Sequence, residues 1–148
     1  ESRSAALGEI ATEGSAVSAL VGLFRASELV MMQHPAAASD VLAALIGQES
    51  ISGDYSDLAL FKQLLLEGSG LDASARRSGF EQLSAAGNPL RLLAQEQLAL
   101  LDLQENDETA AVKRLRDLLQ DAEMTQNLRQ RLGQLMVALG QDPNALDG

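Results

Sequence analysis

The residues with the greatest chemical reach are few. His34 is the chain's one histidine, and histidine is the commonest general base. It stands directly before Pro35, where a helix end and a helix start meet, so it reads as an N-cap or hinge residue. Glu105, Asp107 and Glu108 gather carboxylates of the kind hard cations want, yet their spacing fits no EF-hand loop and carboxylates at a helix start are favoured by the helix dipole anyway. Arg76-Arg77 and the group Lys113, Arg114 and Arg116 could receive an acidic partner. The plainer reading is a solvated face with local pairs such as Lys113 with Asp117.

There is no cysteine, which removes disulfides, thiolate zinc sites and thiol nucleophiles together. The serines stand in no GxSxG, and HExxH, P-loop and GxGxxG patterns are missing too. No nucleophile, base and orienting group can be assembled. The expectation is a protein that is not an enzyme and takes no cofactor and no metal.

Composition sets the scaffold that must carry any function. The chain has 148 residues, 46% of them hydrophobic and only 3% aromatic. Its core must come from Leu, Ala, Val and Met, mostly strong helix formers, which predicts an all-α fold. The net charge of −10 repels phosphate backbones and anionic lipid, so no nucleic-acid partner is expected. The longest apolar stretch, Ala16 to Met32, is interrupted by Arg25 and Glu28 and falls short of the roughly 20 continuous apolar residues of a membrane span. A soluble domain is expected. Because the sequence opens on Glu1, a removed upstream segment that anchored it is expected as well.

Helical punctuation divides the chain into about eight helices. A short helix over 2–12 is expected to end at Glu13-Gly14, with Ser15 capping the next one through Gln33. Pro35 opens a third, Asp54 caps a fourth that stops at Gly68-Ser69-Gly70, and Asp72 caps a fifth. Asn88-Pro89 marks the start of a leucine-rich central helix whose only polar stripe runs through Arg91, Gln95 and Asp102. Asn106 or Asp107 caps its partner, and Thr125 caps the last helix, which Gly140 ends. Short connections force sequential helices to run antiparallel.

Leu98-Ala99 and Leu132-Gly133 stand 34 residues apart within similar helices, the period of a tetratricopeptide hairpin. The predicted architecture is therefore antiparallel helical hairpins stacked as a degenerate tetratricopeptide-like domain over 1–140, followed by a tail over 141–148.

The runs FRASELVMMQHPAAASDVLAAL, YSDLALFKQLLLEG and NPLRLLAQEQLALLDLQENDETAAVKRLRDLLQDAEMTQNLRQRLGQLMVALG carry a resemblance. Together they resemble the tetratricopeptide-repeat-like domain of the bacterial ancillary Sec translocon subunits, in their alphaproteobacterial branch, over residues 5–140. The aromatic positions of an ordinary repeat are occupied here by Gln95 and Asp102, and by Arg129 and Met136. The resemblance implies a periplasmic domain anchored in the inner membrane by an upstream helix. Its implied role is to pass polypeptides or chaperones along beside the translocon, with protein partners and no catalysis.

Three alternatives stand beside it: a scaffold or homo-oligomerising subunit of another envelope complex such as cell-division or outer-membrane assembly machinery, a cytoplasmic scaffold, and a small-ligand receptor or enzyme. On the 34-residue register, the expected protein-binding groove presents Leu93, Glu96, Leu100 and Leu103 from the central helix and Asn127, Gln130, Gln134 and Val137 from the last.

Overall fold

A computed structural model describes residues 2–143, with side chains from residue 14 onward. The described residues form seven α-helices and no strand: α1 (Ser2–Met31), α2 (Pro35–Ile46), α3 (Gly53–Glu67), α4 (Ala73–Leu83), α5 (Arg91–Gln104), α6 (Glu108–Leu119) and α7 (Gln126–Ala138). A 3-10 turn, Gly68–Gly70, follows α3. The all-α expectation holds, with one helix fewer than counted.

The difference lies at Glu13-Gly14, where α1 continues without a break, so that Ser15 stands inside the helix and not at its start. One glycine in a helix interior costs about 1 kcal/mol relative to alanine, too little to stop a helix flanked by alanine and leucine. Two further starts shift by a residue or two. Ser52, not Asp54, occupies the N-cap of α3. Asn88 sits ahead of α5, its Oδ1 accepting from the Leu90 N–H at 2.8 Å, and the helix proper begins at Arg91.

The caps of α6 and α7 fall where the sequence places them. Asp107 accepts from the Ala110 N–H and Thr125 from the Leu128 N–H. Asn106 serves the preceding helix instead. It takes φ 63°, so that its own N–H reaches Leu103 O and the Asp107 N–H reaches Asp102 O, answering two of the end carbonyls of α5. Gln33 at φ 61° and Gly140 at φ 71° close α1 and α7 by the same pattern.

By packing, the chain divides into two compact units, residues 1–79 and 80–148. In the first, α1 packs on α2, α2 on α3, and α1 also touches α3. Its core gathers Ala19, Leu23, Ala26, Leu42, Leu45 and Ala59. Small residues let the helices approach closely, and a Cβ at Gly22 would lie 2.8 Å from a Leu45 methyl. Ser39 on α2 joins the two α3 residues Gln63 and Glu67, donating its hydroxyl to Glu67 and accepting from Gln63 Nε2.

In the second unit α5 packs on α6 and α6 on α7, around Ala99, Leu115, Leu118, Leu128, Leu132 and Met136. The 34-residue register is visible in burial. Ala94, Leu98 and Asp102 on α5 are buried, and so are their counterparts Leu128, Leu132 and Met136 on α7. Of the expected tail, residues 144–148 lie outside the described residues, while the Gln141 side chain accepts from Arg116 Nη2 at 3.0 Å.

Leu132 is fully buried and Val137 is 63% exposed. Urea unfolding should therefore find Leu132→Ala less stable by about 2–5 kcal/mol and Val137→Ala within about 0.5 kcal/mol of the native chain. Similar losses at both positions would contradict the placement of α7.

Candidate functional site

The polar groups of α5 are the place to look for chemistry, because a leucine-rich helix carries them only where something answers them. The expected polar stripe of Arg91, Gln95 and Asp102 does not open to water: Asp102 is buried and the other two are half-buried. All three side chains have hydrogen-bond partners on other segments.

Arg114 reaches across from α6, donating from Nε to Asp102 Oδ2 at 3.0 Å and from Nη1 to Gln95 Oε1 at 2.7 Å. Arg91 forks onto Asp121, at 2.8 and 3.0 Å, and adds Glu123 at 2.6 Å. Asp121 also accepts from the Glu123 N–H at 2.9 Å, which fixes the loop ahead of α7. Hydrogen bonds from Arg91, and then from that N–H, hold the Asp121 carboxyl below its ordinary value of 3.8. The same pairing holds the Arg91 guanidinium further above its ordinary value.

Glu96, expected in the groove, is buried and engaged. Arg131 of α7 donates to both of its oxygens at 2.6 Å, the two-pronged geometry that suits guanidinium and carboxylate. The hydrogen bond to Glu96 is the largest cause holding the Arg131 guanidinium above its ordinary value. Arg129 donates to the last carbonyl of α6, Leu119 O, at 2.6 Å, a cation at the negative end of a helix.

The remaining groove residues scatter. Leu93 and Asn127 line one hollow of about 520 Å³ with Leu92, Thr125 and Arg131. Leu100 and Leu103 are half-buried, and Gln130, Gln134 and Val137 are exposed on α7, outside the lining of that hollow.

Elsewhere, His34 is exposed at the N-cap position of α2 and makes no side-chain cap bond. Lys113 pairs with Asp117 at 2.8 Å, as the local-pair reading expects. Glu105, Asp107 and Glu108 are exposed, with Asp107 committed to its cap, and no cluster of three or more metal-ligating side chains occurs among the described residues.

The chain's own signal for the Glu96–Arg131 pair is faint: the two stand one residue off the 34-residue period, visible only once α5 and α7 are set side by side. In the sequence Val17, Leu20, Val21, Phe24, Leu29 and Met32 recur at helical spacing and mark the helix, but their spacing alone does not tell that most of them face outward. Val17, Leu20, Val21 and Phe24 are each more than half exposed, at the i, i+3, i+4, i+7 spacing of one helical stripe. Within α1, Gly14–Met31 has a mean hydropathy of 1.3 and is long and apolar enough by composition to cross a membrane, although its other face packs on α2. An average tolerates Arg25 and Glu28 where a count of unbroken apolar residues does not.

No family model, curated protein or solved structure matches the chain.

The Arg91–Asp121 pair has a pH signature. A carboxyl held below its ordinary value adds stability that is complete above that value and lost as the pH falls through the folded-state value. Arg91→Gln should therefore unfold at lower urea concentration than the native chain at neutral pH, with the gap closing in strong acid. A gap that stays constant through that range would show that the pair contributes nothing to acid sensitivity.

Proposed function

We propose that the chain is a protein-interaction module without catalytic activity, the periplasmic domain of a protein tethered to the inner membrane that assists the Sec translocon or periplasmic chaperones. The observation that carries the interaction reading is the stripe of Val17, Leu20, Val21 and Phe24, four large apolar side chains left to solvent on one face of α1. Contiguous exposed apolar surface of this kind marks sites of contact with proteins or membranes. The polar side chains around α5, by contrast, are committed to one another, so what the molecule offers a partner is shape and apolar area.

The translocon assignment rests on the resemblance of the three sequence runs. The net charge of −10 favours basic partners and salt-sensitive encounter. A second reading, a homo-oligomerising scaffold of another envelope complex, draws on the spacing of the α1 stripe, which is also that of a helix-helix seam.

The test is a crosslinking pull-down of the full-length protein from its own membranes, identified by mass spectrometry, beside the Leu100→Glu and Phe24→Glu variants. Translocon subunits or chaperones, recovered with the native protein and lost with a folded variant, are the expected outcome. Self-crosslinks alone would replace the first reading with the second, and loss of folding in Leu100→Glu would place that leucine in the core.

A further inference from the structure

The first unit holds a groove of about 460 Å³ between α1 and α3. Ala26 and Leu42, each 2% exposed, lie at its floor, while Val30 and Leu65, 45% and 48% exposed, contribute apolar surface open to solvent. Ser27 adds no free donor, because its hydroxyl is given to Leu23 O one helical turn back, at 3.0 Å. The one remaining polar side chain in the lining is Lys62 on α3, half-buried and without a hydrogen bond or ion pair among the described residues.

Those features select an occupant. A lysine in an otherwise aliphatic lining, with no ion pair among the described residues, favours a carboxylate from outside, against the acidic sign of the chain as a whole. An extended peptide pressed into the groove would find only Lys62 and the Ser27 oxygen as side-chain partners for its row of buried N–H and C=O groups. A helix satisfies its own backbone and presents side chains only. The openness of Val30 and Leu65 suits a helix that keeps its outer face in water better than a small molecule, which pockets normally enclose on most sides.

We propose that the groove between α1 and α3 receives an amphipathic helix of a protein partner, anchored by aliphatic residues at i, i+3 or i+4, and i+7, and oriented by an aspartate or glutamate set against Lys62. This rests on the interaction reading above and gives that partner a chemistry.

The test uses the whole chain and two fluorescein-labelled synthetic helices of about 16 residues, identical in their leucine stripe and differing in one glutamate replaced by lysine. By fluorescence anisotropy, the native chain should bind the glutamate peptide roughly tenfold more tightly than the lysine peptide. Lys62→Glu should reverse that order, and Leu65→Asp should weaken both peptides.

Equal affinities for the two peptides, binding of neither, or an order unchanged in Lys62→Glu would overturn the assignment. So would dodecanoate that binds the native chain, but not Lys62→Glu, while neither peptide binds; the groove would then belong to an anionic amphiphile. Both peptide arms run on the native chain and need no natural partner, so a pull-down that fails leaves this readout intact. Partners recovered equally by the native protein and Lys62→Glu would remove the groove and leave the interaction reading standing.

Discussion

Two carboxylates buried on a leucine-rich helix constrain the second half of the chain. Glu96 and Asp102 are 7% and 3% exposed on α5, and neither charge can remain there without a counterpart. Each is met by an arginine from a different helix, Arg131 from α7 and Arg114 from α6. The helices that supply them are thereby fixed in azimuth and register around α5, which leucine contacts alone leave loosely specified. Such pairs add little net stability over an apolar filling, yet removing one partner strands a buried charge. Their value here is positional.

That constraint explains why the helices were legible in the sequence and the site was not. Capping residues act locally, so Asp107 and Thr125 could be assigned from their neighbours alone. Leu98 and Leu132, matched by the 34-residue spacing, are both buried, whereas Asp102, read as part of a polar stripe, and Glu96, read as lining a groove, are buried against that reading. Gly14 misled because one glycine ends a helix only when the longer stretch around it also disfavours helix, and here helix formers such as Ala11, Glu13 and Ala16 stand on both sides. The pairing of Glu96 with Arg131 depends on side chains brought together by the fold, and no local pattern announces it. A charged residue on an apolar helix reads as solvated until a partner is known.

Alanine- and glycine-rich contacts shape the first unit in a different way. With alanine and glycine at the contact, α1 and α2 close to short range at Gly22, and the interior between them is mostly aliphatic. The larger side chains of α1, including Phe24 and Met31, are left on the outside, 67% and 83% exposed. The polar groups of the second unit turn inward on each other while the apolar groups of α1 turn outward. Four of the apolar side chains of α1 that remain open to solvent form one stripe, Val17, Leu20, Val21 and Phe24.

The most direct measurement is a double-mutant cycle on Glu96 and Arg131, read by urea unfolding of the native chain, Glu96→Leu, Arg131→Leu and the double variant. If the pair holds α7 to α5 as a bracket, Arg131→Leu alone should lose the most stability, because it leaves Glu96 buried and unanswered. The double variant should recover part of that loss, with a coupling of about 1–3 kcal/mol. Additive losses, with no recovery in the double variant, would contradict it and leave α7 held by its apolar contacts alone.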